Sequence, residues 1–219
     1  MVTLSRIYTR TGDQGTTALG DFSRTSKNDP RLIAYADTDE ANAALGLAVT
    51  LGDLSADVKA CLQRVQNDLF DVGADLCNPL AATYEYPPLR VKQQWIDELE
   101  RDCDIFNEDL PALRSFILPG GTSGSAYLHL ARTVTRRAER GAWAAIEMYG
   151  TEPAADSETA EEAKRPGGVN PLTATYLNRL SDLLFILGRA ANRDADGDVL
   201  WQPGGGRPTE STDSGEKAE

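Results

Sequence analysis

Apolar residues recur at helical intervals through most of the 219-residue chain, and five stretches stand out. The clearest sets Val58, Leu62, Val65, Leu69, Val72 and Leu76 at alternating spacings of four and three, the seam of a bundled helix. "CNPL" and "YPPL" then stop it. Upstream, Leu32, Ala36, Asp39, Ala43 and Leu47 share one face, with an acid in its middle. Val91, Trp95, Leu99 and Cys103 mark a third, shorter helix. After "FILPGG", Thr122 and Ser123 are suited to cap a fourth helix over about 123–149, whose core face is Leu130, Val134, Ala138, Ala142 and Ala145. The fifth begins with Asn170 as N-cap and Pro171 at the first helical position, and carries Leu177, Leu180, Leu184, Leu187 and Ala191. No alternating strand pattern of any length and no internal repeat occurs. The pattern therefore predicts an all-α helical bundle. Residues 1–203 read as one domain, 151–168 as a flexible insertion, and 204–219 as a disordered acidic tail.

Composition narrows the classes. No apolar run approaches the roughly 18 residues of a membrane span, and the N-terminus turns polar too soon for a signal peptide, which points to the cytoplasm. A net charge of −12 argues against nucleic acid as a partner. That acid is concentrated in 152–164 and 211–219, whereas "ARTVTRRAERGAW" is basic enough to hold a small polyanion. Cys61, Cys77 and Cys103 suggest neither a disulfide framework nor a zinc ribbon. His129 is the only histidine, which removes most histidine-centred hydrolysis, most metal sites and any di-iron centre built on two Glu-x-x-His pairs. No protein metal ligands are expected.

The remaining chemistry lies in loops and charged helix faces. Thr9, Arg10, Thr11, Gly12, Asp13, Gln14, Gly15, Thr16, Thr17 and Ala18 form a hydroxyl- and glycine-rich run that is either a surface turn or an anion nest. It is not a Walker A motif. In the nest reading, both glycines permit positive φ, and Lys27 reaches the same anion. On the fourth helix Arg132, Arg136 and Glu139 fall on one face, with Arg137 and Arg140 about a quarter-turn away. Such runs are also common on solvated faces. Asn178, Arg179 and Asp182 repeat the feature between leucines of the fifth helix, and Asp39 calls for a cation or a site. Together these suggest a polyphosphate site built from several helices.

"YTRTGDQGTTAL", "YADTDEANAALG", "FILPGG", "ARTVTRRAER" and "YLNRLSDLLFILGRAAN" stand in the order and spacing of the PduO-type ATP:cob(I)alamin adenosyltransferases, and the resemblance extends from about residue 5 to 201. It implies a homotrimer of five-helix bundles with ATP at each subunit interface and corrinoid beside it. By motif, Thr9 to Ala18 and Lys27 would surround the triphosphate. Arg136, Arg137, Ala138, Glu139 and Arg140, with Asn178, would complete the nucleotide site. Arg132 would pair with Asp39 across the interface, and Phe116 would face the lower side of the corrin. The substrates would be ATP and cob(I)alamin, with Mg2+ accompanying ATP, a cob(II)alamin reductase supplying Co(I), and an adenosylcobalamin-dependent mutase receiving the product. The chain departs from the family in reading Ala36-Asp37-Thr38-Asp39-Glu40 where Gly-Thr usually precedes the variable residue and Asp-Glu, and in a longer 151–168 insertion.

Cob(I)alamin is itself a powerful nucleophile, so the reaction implied needs no catalytic base, in keeping with a single histidine. A non-catalytic ATP-responsive corrinoid carrier is the competing expectation. A purely structural trimer would give no reason for Arg132, Arg136 and Asn178 to accompany the N-terminal loop.

Overall fold

The computed structural model describes residues 8–154, 166–193 and 195–205. The middle of the expected insertion, 155–165, and most of the expected tail, 206–219, lie outside the described residues. Two short strands, β1 (Thr16–Ala18) and β2 (Arg24–Ser26), precede five helices: α1 (Pro30–Leu51), α2 (Ala56–Cys77), α3 (Gln93–Asn107), α4 (Ser123–Tyr149) and α5 (Leu172–Arg193).

The helix starts follow their capping chemistry. Asp29 accepts a hydrogen bond from the Arg31 amide at 2.8 Å, Thr122 Oγ1 from Ser125 at 3.1 Å, and Asn170 Oδ1 from Leu172 at 3.1 Å. Helices α1, α4, α5 and α2 close into a four-membered ring in that order, and α3 packs on the outside of α5. Paired positions run in opposite senses throughout: Asp29 meets Tyr149 while Arg137 meets Asp37, and Glu139 meets Asn178 while Thr122 meets Asn192. The ring is an up-and-down antiparallel bundle. No helix among the described residues is long and apolar enough to cross a membrane.

The α2 seam is buried as expected from Val58 through Leu76, and α5 buries Leu177, Leu180, Leu184 and Leu187. Two expectations change. Helix α1 turns inward Leu32, Ala34, Ala41, Leu45 and Ala48, and leaves Ala36, Asp39, Ala43 and Leu47 exposed. The helix is apolar on more than one side, so its spacing fits two registers, and small residues seven apart win because they admit close approach to α4. On α4, Val134, Ala138, Ala142 and Ala145 are buried but Leu130 is exposed. In α3, Ile96 and Leu99 supply the buried contacts, with Trp95 and Cys103 at the margin.

The β1–β2 ladder was invisible to periodicity because each strand has three residues, too few for alternation to register. Its antiparallel pairs are Thr16 with Ser26, Thr17 with Thr25, and Ala18 with Arg24. The ladder stands over one end of the bundle, where the Gly20 amide donates to the Cys77 carbonyl at 3.0 Å.

Two buried charges tie loops to that end. Arg31, fully buried, donates to the carbonyls of Gly167 at 2.7 Å and Gly168 at 3.4 Å, and its guanidinium lies 4.6 Å from the Tyr149 ring centroid. Around it the Leu80 amide donates to Gly168, Ala154 to Leu80, and Gly168 to Glu152, at 2.8 to 3.0 Å. Asp75, also fully buried, accepts from Arg90 at 2.6 Å, the Val91 amide at 2.7 Å and Asn170 Nδ2 at 2.7 Å. It joins the α2 terminus, the loop before α3 and the α5 cap.

Removing one partner of a buried pair strands the other charge. Asp75→Ala is expected to lower unfolding stability by about 3–5 kcal/mol, measured by denaturant titration. Glu100→Gln, which breaks the more exposed pair with Arg179, should cost under about 1 kcal/mol. Equal losses in the two variants would overturn this assignment of the Asp75 knot.

Candidate active site

The loop from Thr9 to Ala18 is held from below. Arg24, on β2, donates to the Thr11 carbonyl at 2.9 Å and to Thr16 Oγ1 at 2.7 Å, so one guanidinium spans both limbs of the loop. The Lys27 amide donates to the Gly15 carbonyl at 2.9 Å, and a Cβ on Gly12 would stand 3.0 Å from Lys27 Nζ. Lys27 therefore lies against the loop. Gly15 has φ +77, but Gly12 is not left-handed; the second left-handed residue is Arg10, at φ 63. Of the two glycines expected to permit positive φ, Gly15 adopts it, while Gly12 makes room for the lysine. Sequence reasoning missed Arg24, whose link to the loop depends on a strand pair too short to read.

The α4 cations separate by partner. Arg137 pairs with Asp37 at 3.1 Å and with Glu40, bracing α4 against α1. Arg136 and Arg140 have no ion pair among the described residues, and with Arg137, Glu139 and Glu40 they line a cavity of about 690 Å³. Ala138, expected beside them, is buried in the core and does not line the cavity. Asn178 Nδ2 donates to Glu139 Oε1 at 3.0 Å and brings α5 to the cavity's edge. Arg179 instead pairs with Glu100 and Asp182. Asp39 is exposed rather than enclosed in a core stripe, and within the chain neither it nor Arg132 forms an ion pair among the described residues. Unpaired guanidinium groups facing a basin suit a multiply charged anion.

Phe116 stands elsewhere. It is 78% exposed, its ring meets Trp201 edge-on at 6.0 Å, and the Trp201 amide donates to its carbonyl at 2.8 Å. The Leu118 amide donates to Val199 at 2.7 Å, completing a short tie between "FILPGG" and the segment after α5. Leu118, Val199, Leu200 and Trp201 are exposed alongside, so the segment presents an apolar surface and Phe116 is no core anchor. This surface adjoins the start of α4, whereas β1 and its loop adjoin the end of α4. A helix of 27 residues rises about 40 Å. None of Thr9 to Ala18, Lys27 or Phe116 lines the arginine cavity of its own chain.

The antiparallel bundle thus carries a cation-lined basin, a braced hydroxyl loop and an exposed aromatic surface. The cobalamin adenosyltransferase family model matches residues 7–191. The chain is 56% identical over 206 residues to the corrinoid adenosyltransferase of Mycobacterium tuberculosis, covering 94% of this chain and 97% of that one. It is 44% identical to a cobalamin adenosyltransferase of Cupriavidus metallidurans, covering 91% and 95%. Among solved structures, a variant PduO-type ATP:corrinoid adenosyltransferase from Lactobacillus reuteri, complexed with cobalamin and ATP, superposes with a TM-score of 0.75 at 34% identity, over 90% of this chain and 99% of that one. The chain belongs to the cobalamin adenosyltransferase family.

His129, only 2% exposed, has neither ring nitrogen hydrogen-bonded. Burial, and then the Arg132 guanidinium, hold its imidazole below the ordinary value of 6.5, with Asp198 opposing. Just below that value the unfolded chain binds more protons than the folded one, so stability rises with pH there. The contribution is complete above about pH 6.5 and is lost as pH drops through the folded value. Asp68 and Asp71, pushed upward by burial, act with the opposite sign, so a variant is needed to isolate the histidine. Against a His129→Gln reference, the wild-type unfolding midpoint should fall progressively as pH drops from 6.5 towards about 5. Parallel pH profiles would refute this.

Proposed function

We infer that this chain transfers the 5′-deoxyadenosyl group of ATP to the cobalt of cob(I)alamin, giving adenosylcobalamin and triphosphate. The observation that carries the reading is the pair of unneutralised arginines, Arg136 and Arg140, over a basin in a chain of this family. Cobalt supplies the nucleophile, and a bond from Co to C5′ forms as the C5′–O bond breaks and its electron pair leaves on triphosphate. The protein's part is to orient C5′ and to neutralise the departing charge. Arg136 and Arg140 are assigned to the triphosphate, with Lys27, Asn178 and the Thr9–Ala18 loop; Arg24 keeps that loop in shape. No group of three or more His, Cys, Asp or Glu side chains among the described residues could hold a metal alone. Magnesium is assigned to the triphosphate and its waters.

The full site is assigned to a homotrimer. Ile33, Leu47 and Leu51 on α1 and Leu130, Trp143 and Met148 on α4 are exposed apolar residues that a second subunit would cover. Such packing would bring the loop of one subunit to the α4 arginines of its neighbour and let Arg132 meet Asp39 of the partner subunit. Residues 1–203 are taken as the catalytic unit, acting in the cytoplasm between a cob(II)alamin reductase and an adenosylcobalamin-dependent mutase. The decisive experiment is an anaerobic spectrum of the protein with ATP and chemically reduced cobalamin. A new carbon–cobalt bond is expected; stoichiometric binding without product would mean a carrier.

Arg136→Ala should leave a folded oligomer and reduce turnover at saturating ATP about a hundredfold, since one preorganised donor is worth about 3 kcal/mol in the transition state. Near-normal turnover would remove Arg136 from the triphosphate.

Phe116, assigned to the lower corrin face, would exclude water and an axial ligand and so ease reduction of cob(II)alamin. Because the side chain is exposed, Phe116→Ala should shift stability by no more than about 0.5 kcal/mol. Turnover starting from cob(II)alamin should collapse, and the four-coordinate spectral signature should vanish. Persistence of that signature would sink the assignment.

A further inference from the structure

Arg132 owes its place to an aromatic stack on α5. Its guanidinium carbon lies 6.0 Å from the centroid of the Phe185 ring, within range of a cation–π contact. The Arg132 Nε is buried with no hydrogen-bond partner, while the terminal nitrogens are not so enclosed. On the same ring His129 packs edge-on, at 5.9 Å between centroids and 69° between planes. The imidazole is wedged in turn against Gly188, where a Cβ would stand 3.2 Å from His129 Nε2. His129, Phe185 and Arg132 thus form a chain of contacts from the helix interface to the surface. It contains no hydrogen bond among the described residues, although it joins two side chains that carry donors. An unpartnered buried Nε is costly, and the ring face is the compensating attraction.

We propose that Phe185 is a positioning residue for the reaction, holding the Arg132 guanidinium with Nε turned inward and its terminal nitrogens free to engage Asp39 of the partner subunit. The proposal rests on the assignment of Arg132 made above. A freely rotating arginine would lose side-chain entropy on pairing, and one already seated on a ring loses less. Phe185 would act through Arg132 without touching either substrate. His129, whose imidazole burial and then Arg132 hold below its ordinary value against the opposing Asp198, seats the ring without adding a competing charge.

The test is a double-mutant cycle on the full chain, read as kcat/KM with cob(I)alamin and ATP alongside melting temperature. Phe185→Leu keeps an apolar side chain of similar reach and removes the ring face. It should lower kcat/KM about fivefold to tenfold, with a melting temperature close to wild type, and Phe185→Tyr should restore most of the loss. In an Arg132→Ala background, Phe185→Leu should add less than about twofold, because the group it positions is gone. An undiminished loss in that background would overturn the positioning role and leave the Arg132 assignment standing. Wild-type turnover by Arg132→Ala alone would overturn that assignment, and the positioning proposal with it. If Phe185→Leu does not fold, Phe185→Met takes its place in the same cycle, with the same outcomes deciding.

Discussion

The bundle depends on how closely α1 and α4 approach. On α1 Ala34, Ala41 and Ala48 are buried and small, as are Ala138, Gly141, Ala142 and Ala145 on α4, and a Cβ on Gly141 would stand 3.0 Å from the Ala34 Cα. Helices packed on such residues come near the lower limit of interaxial distance. Each contact contributes little alone, and the whole seam contributes through dispersion and excluded water. The seam also fixes the rotation of α4 about its own axis. With alanines turned inward, Arg136 and Arg140 have nowhere to go but outward, and Arg137 falls within reach of Asp37 and Glu40. A larger side chain in the seam would disturb the basin without touching it.

The same geometry gives an acidic protein a locally basic basin. Arg137 is neutralised by two carboxylates and braces the helices, so it adds little free charge to the cavity. Arg136 and Arg140, without ion pairs among the described residues, keep their charge over the basin. The single histidine, which in many enzymes would be a proton carrier, is dry, neutral and structural. This suits a reaction whose nucleophile is a reduced metal centre and whose leaving group departs with its charge already balanced. The catalytic demand falls on orientation and electrostatics, and the fold supplies both through rigid helices.

Much of the bundle was legible in the sequence because α2, α4 and α5 carry long repeats and strong caps: Thr122 and Asn170 begin their helices where the local chemistry says they should. The inward face of α1 was not, since alanines at several offsets make two stripes equally apolar and only the partner helix decides. The β1–β2 pair escaped because three residues per strand carry no period, and Arg24 escaped with it. For the site, charge at helical spacing marked Arg132, Arg136 and Glu139, but not which of the arginines would be spoken for. That Asp39 faces outward, and that the loop and Phe116 occupy opposite ends of one chain, are matters of topology. Local sequence holds no measure of either.

Arg31 has a consequence for how this protein can be altered. By fastening the carbonyls of Gly167 and Gly168 beside the Leu80 and Glu152 contacts, it brings together the two ends of the segment that leaves α4 and returns to α5. Once the ends of such a segment are clasped, its length enters the stability of the bundle only weakly, through a logarithm. The junction at residues 152–154 and 167–168 is thereby closed by its own contacts. The segment between its two sides is a natural port at which a tag, a fluorescent reporter or a tether could be spliced while the helices keep their register.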